Sequence, residues 1–93
     1  MSVKRDRLGI INDILAIIRE KKGNIKPTQI MYKANLSHDM LNIYMKDLCT
    51  KGFVIENKLK SGKRTYSLTD KGYNFLRDYK IIKGFVDSYD LNE

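Results

Sequence analysis

Residues 27–52 read PTQIMYKANLSHDMLNIYMKDLCTKG, and this stretch decides the fold. Pro27 suits the first turn of a helix, where its missing N–H is no loss. The helix runs on through Thr28, Gln29, Ile30, Met31, Tyr32, Lys33 and Ala34, about two turns. Asn35 and Leu36 make a tight connection, Ser37 caps a longer helix, and Gly52 ends it. Within that longer helix Leu41, Met45 and Leu48 recur at helical spacing, which makes one buried stripe with Tyr44 beside it.

Upstream, Leu8, Ile11, Ile14, Leu15 and Ile18 mark an amphipathic helix, and Ile10 and Ile17 widen its apolar face. Asp6 is its expected N-cap, and Lys21, Lys22 and Gly23 supply a cationic end and a stop. Residues 24–26 form an extended link, because the residue before a proline avoids helical angles. Downstream of Gly52 the period changes. Residues 53–59 and 64–68 read as two strands, and Lys60, Ser61, Gly62 and Lys63 form the turn, where Gly62 tolerates positive φ. Thr69 caps a last helix that opens with Asp70, Lys71 and Gly72.

Helix, short helix, capped helix, basic hairpin, helix is the order of a winged helix-turn-helix. The expected fold class is α+β, mainly α: three helices and a two-stranded wing over residues 1–69, then a C-terminal coiled-coil dimerisation helix with an acidic tail over residues 70–93.

The other classes fall away on composition. Ninety-three residues make one compact unit, and no run approaches the apolar length of a membrane span. The basic N-terminus lacks a clean apolar core and a small-residue cleavage site, so the chain reads as cytoplasmic. A single cysteine, Cys49, and a single histidine, His38, exclude an internal disulfide and a self-contained zinc site. Cys49 reads as a small core filler. No nucleophile elbow, phosphate loop or metalloprotease motif is present, so neither catalysis nor a cofactor is expected. The sequence also shows no polar pocket for an effector.

Charge points to a partner. The chain holds 18 Lys and Arg against 11 Asp and Glu, a formal net charge of +7. Asp87, Asp90 and Glu93 fall at the C-terminal end, so residues 1–86 hold all the bases with eight acids, a formal +10. Such a surface suits a polyanion.

In a helix-turn-helix the third helix enters the major groove by its N-terminal part. With Leu41, Met45 and Leu48 turned inward, His38, Asp39, Asn42, Ile43 and Lys46 face outward. Asn42 is suited to adenine, Lys46 to guanine or phosphate, and Ile43 to a thymine methyl. Asp39 fits better as an acid at the positive end of the helix dipole. Helices two and three hold no Arg, the commonest reader of guanine, so modest sequence discrimination is expected. Thr28, Gln29 and Lys33 on helix two, and the helix start at Ser37, are placed to contact the DNA backbone. On the wing Lys58, Lys60, Lys63 and Arg64 are suited to phosphates. Lys4, Arg5 and Arg7 make a second basic patch.

In the last helix Phe75, Tyr79, Ile82, Val86 and Tyr89 are spaced as a coiled-coil seam, flanked by Leu76 and Phe85. Pairing of two chains through this seam is expected, and Gly84 weakens the helix. An antiparallel partner would set Lys80 and Lys83 against Asp87, Asp90 and Glu93.

The run from Lys26 to Ser37, followed by Leu41, Tyr44, Leu48, the Lys51-Gly52-Phe53 step and residues 66–72, resembles the small archaeal winged-helix DNA-binding proteins, the ten-kilodalton chromatin family of Sulfolobus type. The likeness spans roughly residues 5–85 and implies a homodimer joined by an antiparallel coiled coil, with a DNA-binding head at each end. It implies binding to double-stranded DNA, with helix three from His38 to Lys46 and the wing bases Lys60, Lys63 and Arg64 as the contact face. The final helix departs from that pattern in being short and ending in acids. The expected function is thus that of a dimeric double-stranded DNA-binding protein, a transcriptional regulator or a nucleoid-associated protein. The alternative is a protein–protein interaction module on the same scaffold, for which the outward apolar Met40 and Ile43 argue.

Overall fold

The computed structural model describes residues 5–89. The elements are α1 (Arg7–Glu20), α2 (Pro27–Ala34), α3 (His38–Thr50), β1 (Val54–Lys58), β2 (Arg64–Leu68) and α4 (Asp70–Ser88). This is the expected winged helix-turn-helix order, mainly α, but α4, read from the sequence as short, is at 19 residues the longest of the described elements.

Each helix start has a local cause. The Asp6 carboxylate accepts from the Gly9 N–H at 2.7 Å. The hydroxyl of Ser37 accepts from the Met40 N–H at 3.2 Å, and that of Thr69 from the Gly72 N–H at 3.2 Å. These bonds satisfy backbone donors that have no partner inside the helix. At α2 the proline occupies the first turn, and the Gln29 side-chain oxygen accepts from the Lys26 N–H at 3.0 Å. Asn35, at φ 55°, turns the chain out of α2 in the left-handed conformation that Asn tolerates better than most residues.

One core joins the elements. α1 contributes Ile11, Ile14, Leu15 and Ile18, α2 contributes Ile30 and Ala34, and α3 contributes Leu41, Tyr44, Met45 and Leu48. Val54 and Tyr66 enter from the hairpin and Leu76 from α4. Two positions depart from the periodic reading. Leu8 is about half exposed, because it lies in the first turn of α1 at the margin of the core. Ile25, in the extended link, is fully buried and locks that link to the core.

The hairpin is antiparallel, with Val54 opposite Leu68, Glu56 opposite Tyr66 and Lys58 opposite Arg64. Its turn closes through Leu59 N–H to Lys63 O at 2.8 Å and Gly62 N–H to Leu59 O at 2.9 Å. Gly62 adopts φ 85°, as the turn requires.

The start of α4 is stitched to the end of α3 and the start of β1. The Thr69 hydroxyl lies 2.6 Å from the Gly52 carbonyl oxygen and 3.1 Å from that of Phe53. The Lys71 ammonium donates to the Lys51 carbonyl at 2.8 Å and sits 4.6 Å from the centre of the Phe53 ring. Gly72 is buried where a Cβ would lie 2.5 Å from the Phe53 carbonyl oxygen, so a side chain there has no room.

Two of the N-terminal bases make ion pairs within the fold. Arg5 pairs with Asp13 at 2.7 Å, Arg7 pairs with Asp47, and Lys4 lies outside the described residues. Asp47 also pairs with Lys51 at 3.1 Å. The hydrogen bond from Lys51, with the charges of Lys51 and Arg7, holds the Asp47 carboxyl below its ordinary value against an opposing effect of burial. The Arg7 guanidinium lies 5.6 Å from the Tyr44 ring centre, which ties the first turn of α1 to α3.

No helix among the described residues is long and apolar enough to cross a membrane.

Candidate nucleic-acid interface

With Leu41, Tyr44, Met45 and Leu48 committed to the core, the outward face of α3 presents His38, Asp39, Asn42, Ile43 and Lys46, all exposed. His38 Nδ1 and Asn42 Nδ2 are 3.3 Å apart, one helical turn from each other. The Asn42 amide is therefore engaged along the helix before any ligand arrives. Asp39 is almost wholly exposed, with its carboxylate 4.0 Å from His38 Nδ1, in the first turn where the helix dipole favours an acid.

Between α3 and the hairpin lies a cleft of about 340 Å³, walled by Asn42, Lys46, Thr50, Glu56, Arg64 and Tyr66, with Met45 and Cys49 beneath. Within the hairpin wall of this cleft Glu56 on β1 pairs with Arg64 on β2, with oxygen and nitrogen 3.7 Å apart. Burial, and then the Glu56 carboxylate, push the Tyr66 phenol and the Cys49 thiol above their ordinary values. Both therefore stay protonated at neutral pH, and Tyr66 remains a neutral O–H donor.

The wing bases Lys58, Lys60, Lys63 and Arg64 are all exposed, and Arg64 alone of the four has an ion-pair partner among the described residues. Lys58 and Arg64 stand opposite each other on the ladder, which sets two like charges side by side with Glu56 next to Arg64. On α2, Thr28, Gln29 and Lys33 are exposed. Gln29 and Ser37 already work as helix caps, which leaves the Gln29 NH₂ group free of that role.

The structure thus brings Asn42, Lys46 and Arg64 to one cleft, with His38 and Ile43 beside it on α3. Sequence reading missed Thr50, Glu56 and Tyr66. The signal was available in part, since Tyr66 follows Arg64 by two residues in a strand and so shares its face.

The last helix divides the seam expected from spacing. Phe75 is half-buried, edge-on to Phe53 with ring centres 5.9 Å apart and stacked on Tyr79 at 5.7 Å. Leu76, which only flanks the seam in the sequence, is the buried residue. Val86 is half-buried, whereas Ile81, Ile82, Phe85 and Tyr89 are more than half exposed. Asp90 and Glu93 lie outside the described residues, and Asp87 pairs with Lys83 of its own helix at 3.5 Å.

The sequence model of a family described as winged helix-turn-helix matches residues 4–86. The uncharacterized protein MJ0290 of Methanocaldococcus jannaschii is 36% identical over 82 residues, which is 87% of this chain and 35% of that protein. The chain thus spans about a third of the length of the curated relative it matches. Among solved structures, Sso10a-2, a DNA-binding protein from Sulfolobus solfataricus, superposes with a TM-score of 0.76 at 22% identity, over 94% of this chain and 88% of that one. A mutant of the Staphylococcus aureus transcription regulator MepR, bound to an oligodeoxyribonucleotide, superposes with a TM-score of 0.73 at 9% identity, over 88% of this chain and 62% of that one. At these identities the likeness is one of fold, and in fold it agrees with the resemblance to the Sulfolobus proteins read from the sequence.

Proposed function

The chain belongs to the winged helix-turn-helix family, and from that premise we propose that it is a homodimeric double-stranded DNA-binding protein, a transcriptional regulator or a nucleoid-associated protein. The observation that carries this reading is the cleft at which Asn42 and Lys46 of the exposed side of α3 meet Arg64 of the wing, whose other bases, Lys58, Lys60 and Lys63, are also exposed. MepR, of the same fold, is known with an oligodeoxyribonucleotide bound, and Sso10a-2 is described as DNA-binding.

Capture begins with charge. Lys58, Lys60 and Lys63 meet phosphates directly, and Arg64 exchanges the Glu56 carboxylate for a phosphate that it can hold by two parallel hydrogen bonds. The N-terminal half of α3 then enters the major groove, where Asn42 gives up His38 for an adenine edge and Ile43 meets a thymine methyl. Backbone contacts from Thr28, Gln29 and Lys33 set the register. With no Arg on this face of α2 and α3, discrimination between sequences is modest. Two chains join through α4 along Phe75, Tyr79, Ile82, Val86 and Tyr89, with Ile81 and Phe85 widening the exposed part of the seam. Each dimer then presents two heads to DNA.

The test is titration of a labelled random-sequence duplex, followed by anisotropy at several salt concentrations. Steeply salt-dependent binding is expected. In the variant with Lys63→Ala and Arg64→Ala, affinity should fall on all sequences alike, and the salt slope should drop by about one for each base removed. Unchanged affinity in that variant would overturn the wing assignment. No binding at low salt would turn the reading toward a protein partner on exposed Met40 and Ile43.

A further inference from the structure

We propose that the cleft between α1 and α4 is a binding site for a small amphipathic organic anion, a molecule with a flat apolar body and a carboxylate. The cleft has a volume of about 460 Å³ and shares no lining residue with the cleft between α3 and the wing. That volume lies within the range usual for small-molecule sites.

Two helical stripes face each other across it. Asn12, Ala16 and Arg19 recur at spacings of four and three along α1, and Leu76, Lys80, Lys83 and Asp87 recur in the same way along α4. Packed helices normally fill such a seam with apolar side chains. Here it stays open because Ala16 is small and Gly84 has no side chain, and a Cβ built at Gly84 meets nothing within 4 Å. The floor is apolar and held in place. Leu76 is buried in the core, and the Tyr79 ring is stacked on Phe75 with an interplanar angle of 17°.

The rim is cationic. Lys83 is partly neutralised by Asp87 at 3.5 Å, while Arg19 and Lys80 have no ion-pair partner among the described residues. Arg19 stands in the last turn of α1, where a base also suits the helix dipole. That explanation does not extend to Lys80 and Lys83, which place more positive charge on the opposite wall. Like charges on two walls of one gap repel, and an anion between them converts the repulsion into attraction from both sides. The Arg19 guanidinium offers the forked geometry that a carboxylate accepts.

A nucleic-acid backbone fits this site less well. A duplex is too wide to reach the Leu76 and Tyr79 floor, and phosphate oxygens gain nothing from it. An aromatic body covers that floor while its carboxylate meets Arg19 and Lys80. Occupation joins α1 to α4 and so fixes the direction in which the helix leaves the head.

The experiment is titration of naphthoate into the isotope-labelled full chain, read by amide chemical shifts. Saturable shifts are expected at Asn12, Ala16 and Arg19 on α1 together with Leu76 and Gly84 on α4. The α1 shifts are diagnostic, because the exposed apolar stripe at Ile82 and Phe85 belongs to α4 alone. Arg19→Ala with Lys80→Ala should weaken binding at least about tenfold, and uncharged naphthylmethanol should bind about tenfold more weakly than naphthoate. Gly84→Leu fills the open space while raising helix propensity, so it should abolish the α1 shifts in a chain that still folds. The site is overturned if no saturable α1 shift appears, if the alcohol binds as well as the acid, or if neither variant alters binding. Inorganic phosphate binding as tightly as naphthoate would overturn the amphipathic assignment.

Discussion

The first half of α4, from Asp70 to Tyr79, and the second, from Lys80 to Ser88, carry similar numbers of large apolar side chains. They differ in what those side chains touch. In the first half Gly72 and Leu76 are buried, Phe75 packs on Phe53, and Thr69 and Lys71 bind the carbonyls of residues 51–53. In the second half Ile81, Ile82 and Phe85 stand more than half exposed. One continuous helix therefore serves two purposes. Its beginning completes the core of the head, and its end offers an apolar surface that a single chain does not cover. Helical periodicity reports that a face is apolar, but not whether the partner is the same chain.

The largest effect should separate the two halves directly. Leu76→Ala removes a buried side chain and should lower stability by about 3 kcal/mol in urea unfolding, in the middle of the range for such truncations. Phe85→Ala should change the unfolding of the isolated chain by less than about 0.5 kcal/mol, as an exposed site does. If the second half is the dimer seam, Ile82→Ser with Phe85→Ser should abolish self-association in sedimentation velocity while leaving the far-ultraviolet spectrum intact. A monomeric parent protein at tens of micromolar would remove that seam altogether.

The two glycines of α4 should respond with opposite sign. Gly72→Ala forces a methyl group against the Phe53 carbonyl and should cost about 2 kcal/mol, as overpacking does. Gly84→Ala, with open space around it, should stabilise by up to about 1 kcal/mol through helix propensity. Equal responses would mean that the halves are packed alike.

The smallest expected effect is a dependence on pH in the head. The folded-state pKa of Asp47 is lowered, so its contribution is present in full above the unfolded value and is lost as pH falls through the folded one. Stability should decline below about pH 4, and Asp47→Asn should flatten that limb of the curve. An unaltered acid limb in the variant would dissociate Asp47 from the acid response of the head.

Local signals in the head were legible because their causes lie within a few residues. Asp6, Ser37 and Thr69 each cap the helix that immediately follows, Pro27 opens α2, and Gly62 turns the hairpin. The candidate interface was legible to the same degree. A stripe of core residues on α3 leaves His38, Asn42 and Lys46 outside by geometry alone, and the wing bases crowd one short hairpin. The pairing of Arg64 with Glu56 was not legible, since it depends on the strand register, which sets Glu56 opposite Tyr66, one diagonal step from Arg64.

What the sequence determined by itself, then, is the order of elements, their caps and the faces they turn inward, all properties of spacing over one or two turns. What only the tertiary structure decided is which distant groups meet. Arg7 finds Asp47 forty residues away, Gly72 lies against the Phe53 carbonyl, Leu76 rather than Phe75 or Tyr79 reaches the core, and residues near 16 and 80 enclose a cationic cleft. Hydrogen-bond caps and periodicity act within a helix, whereas close packing is decided by where two helices cross, and a crossing depends on all the side chains between them.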